Sequence, residues 1–486
     1  MNTLNFHYYN HKTFFFSFLI ISISVLIFSF LDGVLRIIIP VTILGLYWIY
    51  ICIVKEYIAF YFLQCGFLLF YYRISLFPAK TRASFSVVDF LWAIYFLVWI
   101  FKKCKFKCKY IPSNSNIKRN ELFGFLLYLL PTIFLPILGI LIYDFPFSFS
   151  SPGVRQVEWV SFAFISYDMV KKYGRDFVVF SFWCLFFCLI IQAIYALIQT
   201  GCAIDILPDY LLFFDNLHHD IGGRSWFTKD RVTGLLLNPN GFGHLSWLFF
   251  FITFSLYINN IFKNISFFLF PLCFVLVILS GSRSAIIGLF LGCGFIFCIL
   301  KKTTKNIRTM IVSILCLIVI VYFILPFLPT GLEDRFSRLI SLIQTGDVNV
   351  ENNAIGRVYL WQNAWTEYMD KYFWGTWVPP SYALKNAIDS YYIYLTVMGT
   401  PLYLSIFFYM ILNLISIVNT SSNMYNCFEL KAISVTIIGW VGAILGSSIG
   451  SSPFLLSHII VPFWTFLGMF FGLRSISIRN PKIRDI

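Results

Sequence analysis

The chain has 486 residues, of which 59% are hydrophobic and only 12% charged, about half the charged share of a soluble protein. The formal net charge of +14 would suggest nucleic acid for a soluble chain, but with 58 Phe and 20% aromatic residues it is better read by where it falls around apolar spans. This balance excludes a water-soluble globular enzyme and a nucleic-acid-binding protein.

The first apolar run, Phe14 to Phe30, lacks a small-residue cleavage site and is followed at once by another, so it predicts a retained helix. With about 20 apolar residues needed to cross the hydrocarbon core, spans are expected near 14–30, 34–53, 57–72, 85–101, 121–143, 156–170, 176–199 and 241–258. The others fall near 265–281, 284–300, 309–327, 389–416, 432–448 and 453–473. The sixth is short and carries Glu158 and Asp168, and is kept because its loss breaks the alternation of loops. The expected fold is all-α, a polytopic integral membrane protein with about 14 transmembrane helices. Its parts are an N-terminal bundle (1–199), a core (200–416) with larger loops at 200–240 and 328–388, and C-terminal helices with a tail (417–486).

Basic residues orient the spans. With the N-terminus inside, 22 of the 36 Lys and Arg fall in inner segments, among them Lys12, Lys55, the run 102–119, Lys263 and Lys431. Both termini are therefore expected in the cytoplasm and the larger loops on the outer face of the membrane. Of the 12 cysteines, only Cys202 falls in an outer loop, which argues against a disulfide framework. Cys104 and Cys108 read as incidental members of a basic cytoplasmic loop.

The outer basic residues are grouped: Arg224, Lys229 and Arg231 in the first loop, Arg283 between two spans, and Arg335, Arg338, Arg357, Lys371 and Lys385 in the second. Either they hold an anionic ligand, or long loops are simply exported whatever their charge. Arg231 precedes Asn238-Pro239-Asn240-Gly241, a turn into a helix with Asn240 as candidate N-cap. Arg283 lies in Ser280-Gly281-Ser282-Arg283-Ser284-Ala285, where an arginine near hydrocarbon needs a partner, faces a cavity or snorkels to the interface. After Arg357, the spacing of Tyr359, Leu360, Ala364 and Tyr368 suits an amphipathic helix lying on the membrane. The loop closes on Asp389-Ser390-Tyr391-Tyr392, where Asp389 is either a helix-dipole cap or a catalytic acid.

Arg231, Arg283, Arg357 and Asp389 thus come from distant stretches to one face. Guanidinium groups bind phosphate through paired hydrogen bonds and stay charged. A lipid-linked pyrophosphate would sit at this depth, with its polyprenyl chain in the bilayer and its sugars outside.

In order and spacing, these residues resemble the O-antigen polymerase and O-antigen ligase superfamily. The likeness rests on an arginine before Gly-x3-Asn-Pro-Asn, a span pair joined by Ser-Gly-Ser-Arg, a large loop with Gly-Arg-x3-Trp, and an aromatic helix start about ten residues before Gly399; it covers roughly 225 to 410. The ligase branch carries His-Asn at that helix start, and here Ile388 and Asp389 stand in those places. The chain is therefore closer to Wzy-type polymerases. The resemblance implies transfer of a growing glycan from undecaprenyl pyrophosphate to the non-reducing end of a lipid-linked repeat unit during lipopolysaccharide biosynthesis. It implies no cofactor and no metal, since the outer loops lack metal-ligand spacing. Partners would be the lipid-linked oligosaccharides, membrane lipids and a polysaccharide chain-length regulator.

In that scheme Arg231, Arg283 and Arg357 stabilise the pyrophosphate, with Arg335, Arg338 and Arg224 assisting and Asn238 and Asn240 shaping the site. Asp389 is the first candidate base, ahead of Glu333, Asp334 and His244, while His218 and His219 beside Asp220 read as solvated. The alternatives are the ligase, a lipid-linked oligosaccharide flippase or transporter, and a membrane scaffold. A transporter would place polar groups at the midplane and show repeated halves, whereas here they collect in loops.

Overall fold

The structure, a computed structural model, describes residues 35–69, 87–105, 119–146, 151–212, 215, 231–299, 337, 341, 344, 352–384, 388–424 and 427–479. The expected spans near 14–30 and 309–327 lie outside the described residues; the others fall on helices. The chain is an all-helical, polytopic membrane protein. Among the described residues, 6 helices are long and apolar enough to cross a membrane. Contacts divide it into two units, Met1–Leu63 with Val88–Ile111 and Gln64–Val87 with Pro112–Ile486.

In the first unit, helices α1 (Leu35–Val54), the start of α2 (Glu56–Leu69) and α3 (Val87–Lys105) pack together. The Trp48 indole donates to Leu91 O at 3.0 Å and the rings of Phe60 and Tyr95 meet at 6.4 Å. Lys102 pairs with Glu56 at 3.0 Å and donates to the last carbonyls of α1, Cys52 O at 3.1 Å and Ile53 O at 2.8 Å. A cation there satisfies orphan carbonyls and complements the helix dipole. It also brings Lys102 to the end of the unit that holds Lys55, as the charge pattern expects.

The second unit holds α4 (Arg119–Tyr143), α5 (Ser151–Tyr173), α6 (Arg175–Ala203), α7 (Pro239–Ile258), α8 (Lys263–Leu279) and α9 (Arg283–Ile299). It continues with α10 (Asn352–Lys371), α11 (Tyr391–Met424), α12 (Phe428–Ser447) and α13 (Ser457–Arg479). Lipid tails are as apolar as leucine, so helices here associate by close packing of small residues rather than by exclusion of water. The α9–α12 pair is built that way. A Cβ added at Gly292 would lie 2.6 Å from Gly439 O, and one at Gly288 2.7 Å from Ala443 O. Gly472 of α13 abuts Val170 of α5 in the same manner, whereas α7 and α8 interlock through Phe250, Phe254 and Phe270.

The weak sixth span is helix α5, but it is not among the 6 apolar enough to cross. Gln156 and Glu158 are buried within the unit alongside Trp159 and Phe162, so packing against neighbouring helices, rather than hydropathy, holds it. At the opposite end from Arg283, Arg175 at the start of α6 pairs with Glu429 at the start of α12 at 2.5 Å. The 171–175 and 431 basic groups therefore share one end of the unit.

The expected span 389–416 is not one straight helix. Gly399 (φ −139°, ψ 28°) and Thr400 (φ 68°, ψ 170°) break α11 ahead of Pro401. A straight helix would put residues 16 apart about 24 Å from each other. Instead the Tyr391 and Phe407 rings lie 5.5 Å apart and those of Tyr392 and Phe408 5.7 Å, so the first two turns fold back over the span. Pro401 has no N–H to offer Val397 O. That carbonyl accepts from Thr376 N at 2.8 Å, and Met398 O accepts from Trp377 N at 2.9 Å. The loop segment 375–378 thereby satisfies the broken backbone, and Tyr143 of α4 pins it by donating to Gly375 O at 3.0 Å.

Candidate functional site

The fold-back of α11 brings Tyr391 against Phe407, roughly two turns from the Pro401 end of the span, and Asp389 stands just ahead of Tyr391. There it meets Arg357 of α10: Arg357 Nε lies 3.4 Å from Asp389 Oδ2, with both side chains partly exposed. The turn between α12 and α13 receives the pair. The guanidinium rests on Gly450, where a Cβ would come 3.0 Å from Arg357 Nη1. Ser452 donates to Asp389 O at 3.1 Å, Ser390 donates to Ser448 O at 3.2 Å, and Tyr391 N donates to Ser448 O at 2.9 Å.

A second group of residues arrives from α7, α8 and α9. Arg231 donates from Nε to Ser280 O at 3.2 Å and from Nη2 to Asn240 Oδ1 at 2.7 Å. Asn240 is therefore not the helix cap. Pro239 occupies the first helical position, where its missing N–H costs nothing, and the cap is Asn238, whose Oδ1 accepts from Asn240 N at 2.9 Å and Gly241 N at 3.1 Å. Removing such a cap costs about 1 kcal/mol. Asn238→Ala is expected to lower detergent-phase thermal stability by that much, with Arg231 still bound to Asn240; a scanning melt of the two proteins checks it.

Arg283 is the first residue of α9, half-buried and capped from behind by Ser282, whose Oγ accepts from Ala285 N at 3.4 Å. The α9 start is tied to the same α12–α13 turn, because Ser447 donates to Ser284 O at 3.0 Å. Arg231, Asn238, Asn240, Arg283, Arg357 and Asp389 thus gather at one end of the second unit. Arg224, Arg335 and Arg338, with Glu333, Asp334, His218, His219 and Asp220, lie outside the described residues.

Of the expected amphipathic stripe on α10, Ala364 and Tyr368 are buried and Leu360 half-buried, while Tyr359 is exposed together with Trp365 and Met369, so the stripe is packed only in its second half. Burial raises the phenols of Tyr368 and Tyr372 above the ordinary tyrosine range, and Glu367 and Tyr143 add to this at Tyr372. Tyr368 stays a donor, to Phe373 O at 3.0 Å.

Two components escaped the sequence. One is the serine-rich turn Gly446-Ser447-Ser448-Ile449-Gly450-Ser451-Ser452, whose likeness to the Ser280–Ala285 turn was a usable signal. The other is His458, buried with its ring against Gly241. The first loop is anchored separately: buried Asp215 accepts from Tyr195 at 2.7 Å and from Gln199 at 2.9 Å, and Gln199 also takes the N–H groups of Thr233 and Gly234. Among the described residues, no group of three or more His, Cys, Asp or Glu side chains could hold a metal ion. The arrangement is a cationic, serine-lined end with one carboxylate in contact with a guanidinium, suited to charge stabilisation beside a proton acceptor.

Residues 268–404 match the family model described as O-antigen ligase. The matched stretch runs from α8 to the bend in α11 and includes Arg283, Arg357 and Asp389. No curated protein matches the chain.

Proposed function

Residues 268–404 being a domain of the O-antigen ligase/polymerase superfamily, we propose that this protein is a glycosyltransferase that polymerises lipid-linked repeat units of O-antigen. The observation that carries the polymerase reading is the Arg357–Asp389 pair. At the helix start where the ligase branch resembled above carries His-Asn, this chain has a buried Ile388 followed by Asp389.

In the proposed reaction, a hydroxyl at the non-reducing end of the acceptor repeat attacks the anomeric carbon of the growing glycan. The bond from that carbon to undecaprenyl pyrophosphate breaks, and the hydroxyl proton passes to Asp389. The pyrophosphate leaves with the bonding electrons, so developing negative charge is the main barrier for the protein to lower. Arg357 and Arg283 are assigned that task, and Arg231, fixed by Asn240 and Ser280, adds positive charge behind them. Arg335, Arg338 and Arg224 are assigned to the same anion. The charge pattern supports placing this end at the periplasmic face of the inner membrane, with both termini in the cytoplasm. A chain-length regulator is the expected protein partner.

The deciding experiment is a gel of surface glycan from cells lacking the gene and from the same cells complemented. A lipid core bearing a single repeat is the expected result. Polymer accumulating on its lipid carrier with none on the core would make the protein a ligase. An unchanged ladder would remove both enzymes and favour a transporter.

A further inference from the structure

His244 lies one helical turn beyond Asn240 on α7, wholly buried, and faces the junction where the two halves of the site meet. Its Nε2 is 3.1 Å from Ser451 Oγ on the α12–α13 turn and 3.4 Å from Ser284 Oγ on α9. Its Nδ1 has no hydrogen-bond partner among the described residues. The Ser451 hydroxyl already donates its proton to Ser447 O at 2.8 Å, so toward the imidazole it can only accept. Nε2 then carries the hydrogen and donates to Ser451.

The consequence is mechanical. Ser284 follows Arg283 directly, and Ser451 is flanked by Gly450, which seats the Arg357 guanidinium, and Ser452, which holds the Asp389 carbonyl. Ser451 O also accepts from Tyr391 N at 3.2 Å. Within this end of the unit, His244 therefore reaches both the element carrying Arg283 and the turn holding Arg357 and Asp389. The Trp247 ring lies 6.1 Å away and edge-on, and His458 packs against Gly241 one turn back on the same helix.

We infer that His244 is a positioning residue: its Nε2–H, donated to Ser451 Oγ with Ser284 Oγ beside it at 3.4 Å, braces the α12–α13 turn where Ser447 holds the start of α9, and so keeps Arg283 in register with the Arg357–Asp389 pair. The tie itself stands on the geometry; its effect on glycan transfer rests on the proposed function. A misplacement of about 1 Å at a reacting centre costs roughly 100-fold in rate, so losing the tie should be felt without contact with substrate.

The test uses the full-length protein in detergent, as His244→Gln, His244→Leu and Ser451→Ala. A glutamine amide nitrogen reaches near the place of Nε2 and can donate to Ser451; leucine fills the space without donating. Hydrogen exchange is followed by mass spectrometry in peptides covering 388–391 and 446–452, alongside melting curves and incorporation of labelled repeat unit in membranes. Exchange at the Tyr391 and Gly450 amides is expected to quicken at least tenfold in H244L and S451A and to stay near wild type in H244Q. Incorporation should fall in the first two and recover in the third. Unchanged exchange in S451A, or equally fast exchange in H244Q, overturns the inference. Should H244L fail to fold, S451A and H244Q still decide it. If exchange behaves as expected while the deletion ladder is unchanged, the tie stands and the polymerase reading falls.

Discussion

Arg357→Ala is expected to reduce incorporation of labelled repeat unit by roughly 10³-fold while leaving the protein folded and present at normal levels. The two halves of that expectation have separate causes. The Arg357–Asp389 pair is about a third and a half exposed on its two sides, and ion pairs so placed contribute at most about 1 kcal/mol to stability because solvent screens them. Little of the fold therefore depends on it. In the proposed transfer, by contrast, the guanidinium meets charge that develops only as the pyrophosphate departs, which lowers the barrier directly. Arg357→Lys keeps the charge but loses the fork that binds two oxygens at once, and should recover only part of the rate. Asp389→Asn should be impaired as strongly as Arg357→Ala, since an amide cannot take the acceptor proton. A well-folded Arg357→Ala protein with a normal ladder would take this pair out of the mechanism.

Gly292→Val is expected to remove the protein from the membrane fraction, a loss of fold rather than of chemistry. A Cβ at 292 would sit 2.6 Å from the carbonyl oxygen of Gly439 and would also strike the Phe251 ring. The carbonyl belongs to a helix backbone and cannot step aside as a flexible side chain would. Overpacking of this kind costs about 1–3 kcal/mol for a single added group, and more where two helix axes must separate along a whole seam. Two residues on, Gly294 has nothing within 4 Å of the same added atom. Gly294→Ala should be neutral or slightly stabilising, since alanine is the better helix former. Membrane accumulation and detergent melting of the two variants measure the contrast. Equal levels would show that α9 and α12 do not pack through their glycines.

Much of the membrane architecture was legible before any coordinates. Runs of apolar residues coincide with most of the described helices between Leu35 and Arg479, α5 and the polar α10 apart, because transfer into hydrocarbon is a sum of local terms over a window of about 20 residues. The gathering of Arg231, Arg283 and Arg357 with Asp389 was legible too, because helices that cross a layer put alternate loops on the same side. The sequence also misled where local rules compete. Asn240 looked like the cap, yet Pro239 at the first helical turn moves the cap to Asn238 and leaves Asn240 to bind Arg231. Of the stripe Tyr359, Leu360, Ala364 and Tyr368, the last two are buried and Tyr359 is exposed, since periodicity gives the apolar face without saying what covers it.

What the sequence by itself determined is which segments are helical, which are apolar, and that charged groups of one kind collect at one end. Tertiary structure alone decided that α11 folds back at Gly399 and Thr400 to present Asp389 to Arg357, that the serine turn 446–452 seats both, and that His244 bridges to Ser284 and Ser451. The physical reason is range. Hydropathy and helix caps depend on neighbours within a few turns. The bond between His244 and Ser451 joins residues 207 apart in the chain, and nothing local to either residue specifies the other.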